Sequence, residues 1–168
     1  HVEASRMIQL VNDILQLSHL DSVSETHAQP DMETVDLLDV AKDCVERQKL
    51  NAQRSFISLT YLGESARVLG NRDQLDELCQ NLCDNAIRYN RPGGKVQLIT
   101  SCTRDGHCTL TVKDNGIGIP KDAQSSVFER FYRVDKSRSK ATGGTGLGLA
   151  IVKHIARIHN ARIKLESE

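Results

Sequence analysis

The apolar residues of this 168-residue chain change their spacing several times between Glu33 and Glu166. Runs rich in β-branched and aromatic residues, such as residues 56–61 and 108–113, predict strands, whereas apolar residues three and four apart predict helices. The predicted strands are 33–37, 56–61, 67–69, 96–103, 108–113 and 161–166, with 67–69 pairing with 56–61. The predicted helices are 38–50, 147–159 and a segment around Leu75, Leu78, Leu82 and Ala86 that Asn71 or Asp73 caps.

The first twenty residues have a helical pattern of their own. Their apolar residues recur at helical spacing, and they are Met7, Ile8, Leu10, Val11, Ile14, Leu15, Leu17 and Leu20. The chain begins inside this pattern without a capping residue, so we expect the helix to be part of a longer one that packs in a bundle or dimer. Residues 21–31 are polar and end in a Gln-Pro-Asp turn signal, which predicts a linker.

Composition excludes several classes of function. The 22 basic residues balance the 22 acidic ones, and aromatic residues make up only 4% with no Trp, which argues against a nucleic-acid partner. Five cysteines without a CxxC pair predict neither a disulfide framework nor a zinc knuckle, and favour a reducing compartment. Cys79 and Cys83, four residues apart, are better interpreted as buried small side chains than as half of a metal site. No run of eighteen apolar residues and no signal peptide is present, so the fragment is predicted to be soluble.

Chemistry first becomes visible on the predicted helix around residues 75–89. Asn81 and Asn85 lie one turn apart, and Arg88 and Tyr89 follow one turn later. Amide oxygens, a guanidinium and a phenol therefore converge on one face. A hard cation that bridges phosphates needs such oxygens as ligands. The alternative is that both asparagines are ordinary polar residues on a solvated face.

Two glycine-containing segments suit a nucleotide. Asp114-Asn115-Gly116-Ile117-Gly118 follows a strand, where the carboxylate accepts a hydrogen bond from an exocyclic amine and the glycines permit close backbone approach. Residues 143–149 (GGTGLGL) open a helix, where backbone N–H groups and the helix dipole favour phosphate oxygens. Neither segment has the spacing of a P-loop, a Rossmann turn or an EF-hand.

The order of these segments, with Phe128-Glu129-Arg130-Phe131-Tyr132-Arg133 between the two glycine turns, closely resembles the catalytic ATP-binding domain of bacterial sensor histidine kinases in the GHKL superfamily. Residues 7–22 resemble the end of that family's second dimerisation helix. The resemblance implies an α+β fold, a two-layer α/β sandwich of the Bergerat type, with a mixed sheet of about five strands against about three helices plus the N-terminal amphipathic helix. It implies the C-terminal part of the dimerisation helical hairpin at residues 1–22, a linker at 23–32 and the catalytic ATP-binding domain at 33–168.

The resemblance also assigns roles to residues. Asn85 would coordinate Mg²⁺, and Asn81 would hold phosphate or metal-bound water. Arg88 stands near the phosphates where the family usually has Lys, and keeps the charge with a different geometry. Tyr89 would lie along the adenine, and Asp114 would accept its amine.

Further positions complete the implied ATP site. Gly116 and Gly118 would form the floor of the adenine pocket and Ile119 would line it. Phe128, Phe131 and Tyr132 would pack the mobile lid, with core packing an equal alternative for the two phenylalanines. Arg130 or Arg133 would approach the terminal phosphate. The second glycine turn supplies Gly144, Thr145, Gly146, Leu147, Gly148 and Leu149. One departure is His159-Asn160-Ala161, where the family commonly has His-Gly-Gly, and Ala tolerates a left-handed backbone poorly.

The same resemblance favours phosphoryl transfer over hydrolysis. Related ATPases carry Glu at the position of Asn81, and an amide cannot take a proton from water. None of the six histidines has the acceptor pattern His-Glu/Asp-x-Arg/Lys-x-Pro, so the fragment alone is not expected to autophosphorylate. Implied partners are ATP and ADP, the chain's own dimerisation domain and a response regulator, in the cytoplasmic portion of a membrane-anchored bacterial sensor. The alternatives are an anti-sigma-type or degenerate-kinase regulatory module and an autonomous ATPase.

Overall fold

The computed structural model describes residues 4, 7–8, 10–15, 18, 31–134 and 144–168. The chain forms two compact units. We call Asp31–Gly118 the sheet unit, and residues 1–30 together with residues 119–168 the glycine-turn unit. The predicted boundaries at residues 22 and 32 stay a prediction.

The sheet unit contains five strands and two helices. Its elements are β1 (Glu33–Asp36), α1 (Leu37–Arg54), β2 (Ser58–Gly63), β3 (Arg67–Gly70), α2 (Arg72–Arg88), β4 (Lys95–Cys102) and β5 (Cys108–Asp114). Strands β2 and β4 pair in parallel and β4 and β5 pair antiparallel, while β1 and β3 form a separate antiparallel pair. The α+β class and the five strands are therefore confirmed, with the strands divided between two sheets.

The predicted pairing of residues 67–69 with residues 56–61 is wrong, because β3 pairs with β1. Strand β2 ends at Gly63, which has a φ of 119° and lies so close to Thr100 that an added Cβ would be 2.0 Å from the Thr100 carbonyl oxygen. Only glycine adopts this backbone without strain. Strand β4 takes the place beside β2 that the prediction gave to β3.

The structure confirms the predicted helix cap of α2 and the predicted hairpin between β4 and β5. Asn71 caps α2, because its Oδ1 accepts the Gln74 N–H at 3.0 Å, which decides between the two predicted caps. The predicted hairpin is also present: the last residue of β4, Cys102, lies opposite the first residue of β5, Cys108.

A disulfide joins Cys102 and Cys108, whose Cα atoms are 4.1 Å apart. The odd number of cysteines predicts no disulfide framework. This expectation is wrong for the pair Cys102 and Cys108. The bond depends on hairpin register, which sets the two residues opposite each other and which a cysteine count does not reveal.

The core of the sheet unit lies between its two helices and the face of the three-stranded sheet. Helix α1 contributes Val40 and Cys44, α2 contributes Cys79 and Cys83, and β4 contributes Leu98, all at most 1% exposed. The Cys44 thiol is within hydrogen-bonding reach of the Cys79 and Cys83 thiols. That hydrogen bonding and their burial raise the pKa of both α2 thiols, which therefore stay neutral. Cys79 and Cys83 are buried small side chains, as predicted.

The glycine-turn unit contains α3 (Gly148–Ile158), whose Ile151, Val152 and Ile155 are buried. The predicted last strand at residues 161–166 is absent, since residues 161–168 join no ladder among the described residues. Before them Asn160 has a φ of 50°, while Ala161 keeps a negative φ and donates its N–H to the Ala156 carbonyl at 2.8 Å. Asn160 alone thus makes the left-handed turn that the sequence left in question.

The described residues between 4 and 18 are helical, as predicted. This N-terminal helical segment exposes large apolar side chains, with relative exposures of 41–67%, at Met7, Ile8, Val11, Ile14 and Leu15. Within the described part of the chain, no helix has the length and apolar character needed to cross a membrane.

Asp36 joins three parts of the sheet unit. Its carboxylate accepts N–H groups of Leu38 at 3.0 Å and Ala66 at 2.9 Å, and the Ser65 hydroxyl at 2.5 Å. The Ser65 hydroxyl, followed by the Ala66 N–H, lowers the pKa of Asp36 below 3.8. Its stabilising effect is therefore complete above about pH 4 and is lost as pH falls through the lowered value.

We predict that Asp36→Asn lowers the free energy of unfolding by about 1 kcal/mol at pH 7, because a cap acceptor loses its charge. The difference from wild type should shrink as pH falls below about 4, and urea unfolding at a series of pH values measures it. Asp39→Asn is the matched control, because Asp39 is an exposed carboxylate in the first turn of α1 and forms an ion pair with Lys42 at 3.6 Å. A deficit independent of pH would contradict the role of the carboxylate charge.

Candidate functional site

Helix α2 presents the two predicted asparagines as half-buried side chains. The Asn81 amide nitrogen donates to the Glu77 carbonyl oxygen at 3.1 Å, one turn earlier on the same helix. The nitrogen is thereby engaged with the helix backbone, and the amide oxygen is the atom that can act as an acceptor or metal ligand. Asn85 lies one turn further on and is also half-buried.

Arg88 has a partner that the sequence analysis missed. Its Nη2 lies 2.7 Å from Oδ2 of Asp84, a pair at i, i+4 on α2 with both side chains about one-third exposed. The signal was visible in the sequence, since Asp and Arg four residues apart on a helix face each other. A phosphate near Arg88 would have to compete with this carboxylate.

The loop after β5 folds around Asp114 and approaches the C-terminal end of α2. Asp114 Oδ1 accepts the Gly116 N–H at 2.8 Å, and the Ile117 N–H donates to the Tyr89 carbonyl at 3.1 Å. A Cβ added at Gly116 would lie 2.4 Å from the Tyr89 carbonyl oxygen and 2.9 Å from Asp114 Oδ1. The structure thus brings together Asp114, Gly116 and Tyr89, and glycine is required by the close approach.

Asn115 fixes this loop to the start of β4, and Asn90 fixes the end of α2 to the same residue of β4; neither asparagine had a predicted role. Asn115 Oδ1 accepts the Lys95 N–H at 2.7 Å, and Asn90 Nδ2 donates to the Lys95 carbonyl at 3.2 Å. Asn residues in such turns often hydrogen-bond nearby backbone, which is the signal that was available. Gly118 ends the loop with a φ of 72°.

The second segment of the glycine-turn unit begins at Ile119, which is held by two hydrogen bonds. Its N–H donates to the Ser167 hydroxyl at 2.7 Å, and its carbonyl accepts from the Gln124 side chain at 2.9 Å. Ser167 and Gln124 were not singled out in the sequence, because contacts between distant residues leave no local pattern.

The aromatic segment and the second glycine turn meet through their backbones. The Phe131 N–H donates to the Gly146 carbonyl at 2.9 Å, and Phe131 itself has a φ of 63°. Gly146 has a φ of 77°, and an added Cβ would be 3.0 Å from the Phe131 backbone. Phe131 is 58% exposed, which does not support core packing for this residue.

Thr145 connects the glycine turn with the start of α3. Its hydroxyl oxygen accepts the Leu147 N–H at 3.4 Å and donates to Oδ2 of Asp13 at 2.5 Å. Helix α3 has no side-chain cap and no acidic residue in its first turn. A helix N-terminus of this kind presents unpaired N–H groups and a positive dipole end, which favour anions.

The remaining residues of the predicted ATP site differ in how far their side chains are buried. Phe128, Tyr132, Arg133, Gly148 and Leu149 are half-buried, Arg130 is exposed, and Gly144 and Leu147 are buried. Leu147 is 0% exposed, so its side chain belongs to the apolar interior. Gly143 and the basic residues Lys136, Arg138 and Lys140 lie outside the described residues.

Among the described residues, no three His, Cys, Asp or Glu side chains are arranged to hold a metal ion. A magnesium site on α2 would therefore depend on amide oxygens together with phosphate oxygens of the nucleotide. Hard cations bound with substrate phosphates commonly have such a sparse protein contribution.

Residues 70–168 match the family of histidine kinase-, DNA gyrase B- and HSP90-like ATPases. The chain belongs to this family. The match covers α2, both glycine-containing turns and α3, which are the segments from which the resemblance was inferred.

Sensor histidine kinases are among the proteins that this chain resembles. The chain is 44% identical over 167 residues to the sensor-like histidine kinase SenX3 of Mycolicibacterium smegmatis, a match that covers 99% of this chain and 42% of SenX3. The mycobacterial sensor histidine kinase MprB is 34% identical with a TM-score of 0.66, covering 77% of this chain and 81% of that one. Full-length ShkA in complex with AMPPNP is 26% identical with a TM-score of 0.75, covering 93% of this chain and 32% of that one.

These findings confirm the predicted membership in the sensor histidine kinases and the predicted fold of their ATP-binding domain. They also support ATP as the ligand. The chain spans less than half the length of SenX3, so the activity of the whole protein is a matter for proposal. The individual site residues stay predictions.

We predict that Gly116→Ala weakens ATP binding at least about tenfold, because the new methyl group would meet the Tyr89 carbonyl and displace the loop. Isothermal titration calorimetry measures the affinity, and urea unfolding measures the accompanying loss of stability.

The control is Gly106→Ala in the β4–β5 hairpin. Gly106 has a φ of 86°, so alanine there is strained, but the added Cβ has no atom within 4 Å. It should lower stability modestly and leave ATP affinity unchanged. Equal affinities for Gly116→Ala and wild type would show that the close approach has no part in nucleotide binding.

Proposed function

We propose that this chain is the catalytic part of a sensor histidine kinase, which binds Mg-ATP and transfers the γ-phosphoryl group to a histidine on a dimerisation helix. The observation that carries the proposal is the Asp114 loop, which is attached to the end of α2 through the Tyr89 carbonyl and has no room for a side chain at Gly116. Family membership and the AMPPNP bound in ShkA support ATP as the nucleotide.

Asp114 is proposed to recognise the adenine. One carboxylate oxygen already accepts the Gly116 N–H, which fixes the orientation of the group. The second oxygen is then the acceptor for the exocyclic amine, which guanine lacks at the equivalent ring position. Tyr89, 40% exposed at the end of α2, supplies an aromatic face beside this loop. Gly116, Gly118 and Ile119 line the base.

Asn85 and Asn81 are proposed to act at the metal and phosphates. A bound Mg²⁺ would neutralise charge that develops on the β- and γ-phosphates during transfer. Asn85 contributes its amide oxygen as a ligand, and Asn81 positions a phosphate oxygen or a metal-bound water. Arg88, once released from Asp84, adds positive charge to the same face of α2.

The glycine-turn unit is proposed to bind phosphate. The backbone N–H groups at the start of α3, with the Thr145 hydroxyl, supply donors, and Gly144, Gly146 and Gly148 leave those donors accessible. The buried Leu147 and the half-buried Leu149 hold the turn, while Phe128 and Tyr132 pack the lid segment. Arg130 or Arg133 contributes the cation that approaches the γ-phosphate.

Transfer is favoured over hydrolysis by the chemistry at position 81. An amide is too weak a base to take a proton from water at neutral pH, so Asn81 cannot activate water as a carboxylate does. The nucleophile must then come from a separate group, for which we propose the acceptor histidine of the dimerisation hairpin. The fragment itself holds no histidine in the family's acceptor pattern.

The N-terminal helical segment is proposed to be part of that hairpin. Its exposed apolar side chains, Met7, Val11 and Leu15 among them, need a partner helix, and a second copy of the chain in the full-length protein would supply it. We further propose a response regulator as the phosphoryl recipient and a membrane-anchored parent with this part in the cytoplasm. Family membership supports both.

We predict that Asp114→Asn weakens ATP binding more than about tenfold while leaving the fold stable, because an amide oxygen still accepts the Gly116 N–H but the charge-assisted bond to the adenine amine is lost. Calorimetric titration with Mg-ATP tests this. Asp122→Asn is the control, since Asp122 is an exposed carboxylate of the same charge. An unchanged affinity for Asp114→Asn would remove Asp114 from adenine recognition.

We predict that the chain transfers label from γ-labelled ATP to a separately purified dimerisation hairpin that carries an acceptor histidine. It should release negligible free phosphate by itself, and Asn85→Ala should abolish the transfer. ATP binding without transfer would favour a regulatory nucleotide-binding module. Repeated turnover of free phosphate in the absence of the hairpin would favour an autonomous ATPase.

A further inference from the structure

Asp13 is one of two polar side chains that are buried among the described residues, with 8% exposure. It lies on the otherwise amphipathic N-terminal helical segment, whose neighbouring described residues Asn12 and Ile14 are exposed. Burying a carboxylate requires compensation by hydrogen bonds or charge. Thr145 provides a hydrogen bond, 132 residues away in the sequence.

The hydrogen bond continues into the start of α3. The Leu147 N–H donates to the Thr145 hydroxyl at 3.4 Å, and that hydroxyl donates to Asp13 Oδ2 at 2.5 Å. The Asp13 carboxylate is therefore connected through one hydroxyl to the N-terminal end of α3. This end favours an anion because of its dipole and its N–H groups, and the carboxylate is an anion of this chain.

We propose that Asp13 is an intramolecular competitor of the nucleotide phosphates, and that ATP binding at the glycine turn releases the N-terminal helical segment from Thr145. The inference rests on the proposed function, since it assumes that the turn binds phosphate. Asp13 and a phosphate oxygen would require the same hydroxyl donor, and a hydroxyl has only one proton to give. Two anions at one helix end would also repel each other.

By linkage, the competition acts in both directions. If ATP weakens the contact between the N-terminal helical segment and the turn, that contact weakens ATP binding by the same factor. The N-terminal helical segment is thereby coupled to the glycine turn through Asp13 and Thr145. A change in its position then alters nucleotide affinity through one hydrogen bond.

The test compares Asp13→Asn with wild type in the full 168-residue chain. Removing the charge should strengthen Mg-ATP and Mg-ADP binding by roughly three- to tenfold, the size of a typical net hydrogen bond, because the asparagine amide oxygen can still accept from Thr145. Adenosine has no phosphate, so its affinity should not change. Asp122→Asn, an exposed carboxylate in the same unit, is the control for a general effect of net charge.

A second measurement does not depend on the variant. Hydrogen exchange of the wild-type amides at residues 10–15 should become faster when Mg-ATP is added, because the helical segment loses its contact with Thr145. Slower or unchanged exchange would contradict the release.

The outcomes separate the two proposals. Measurable but equal ATP affinities of wild type and Asp13→Asn overturn the competition and leave ATP binding intact. A gain that extends to adenosine or to Asp122→Asn also overturns it. Absence of ATP binding in both wild type and Asp13→Asn overturns the proposed function together with this inference, whereas binding by Asp13→Asn alone supports both.

Discussion

The position of α2 depends on the burial of one of its faces, and the candidate site depends on α2. Leu75, Cys79, Cys83, Ala86 and Ile87 are at most 7% exposed and pack in the core that α2 shares with α1 and the sheet. Residues four apart share a helix face, so Asn81 and Asn85 lie together on a different face from Cys79 and Cys83. The packing that stabilises the fold thus also orients the two amides. Because two of the buried side chains are thiols within reach of Cys44, α2 and α1 can approach closely, and larger side chains there would move the asparagines with the helix.

A second constraint is the contact between backbones in the glycine segments. A Cβ added at Gly116 would lie 2.4 Å from the Tyr89 carbonyl oxygen, and a Cβ added at Gly146 would lie 3.0 Å from the Phe131 backbone. In both places glycine permits two segments distant in sequence to meet through hydrogen bonds. These close approaches require glycine even without a ligand. The same absence of side chains leaves backbone N–H groups accessible to a ligand.

Elements with strong local signals were predictable from the sequence, and pairings between distant segments were not. The helical period of α2, the Asn71 cap and the hairpin between β4 and β5 follow from residues within one turn of each other. The partner of β3 was predicted wrongly, because the pairing depends on Gly63 and on Asp36, which accepts hydrogen bonds from a loop thirty residues away. The Cys102–Cys108 bond was missed for a related reason, since it follows from register. For the candidate site, the motifs predicted the family and the i, i+4 spacing of Asp84 and Arg88 indicated their pair, but the pair Thr145–Asp13 appeared only in the structure.

The hydrogen bond of Asn81 gives a physical reason why an amide and a carboxylate at this position differ. The Asn81 nitrogen donates to the Glu77 carbonyl oxygen at 3.1 Å, which holds the side chain back along the helix. A glutamate has no donor when ionised, and its oxygens would be repelled by the same carbonyl. It would therefore extend away from the helix backbone, where a carboxylate is able to reach a water molecule. The amide is not only a weaker base than the carboxylate of related ATPases but is also retained by its own helix. Both properties act against hydrolysis, so the γ-phosphoryl group would persist on the bound nucleotide until a separate nucleophile arrives.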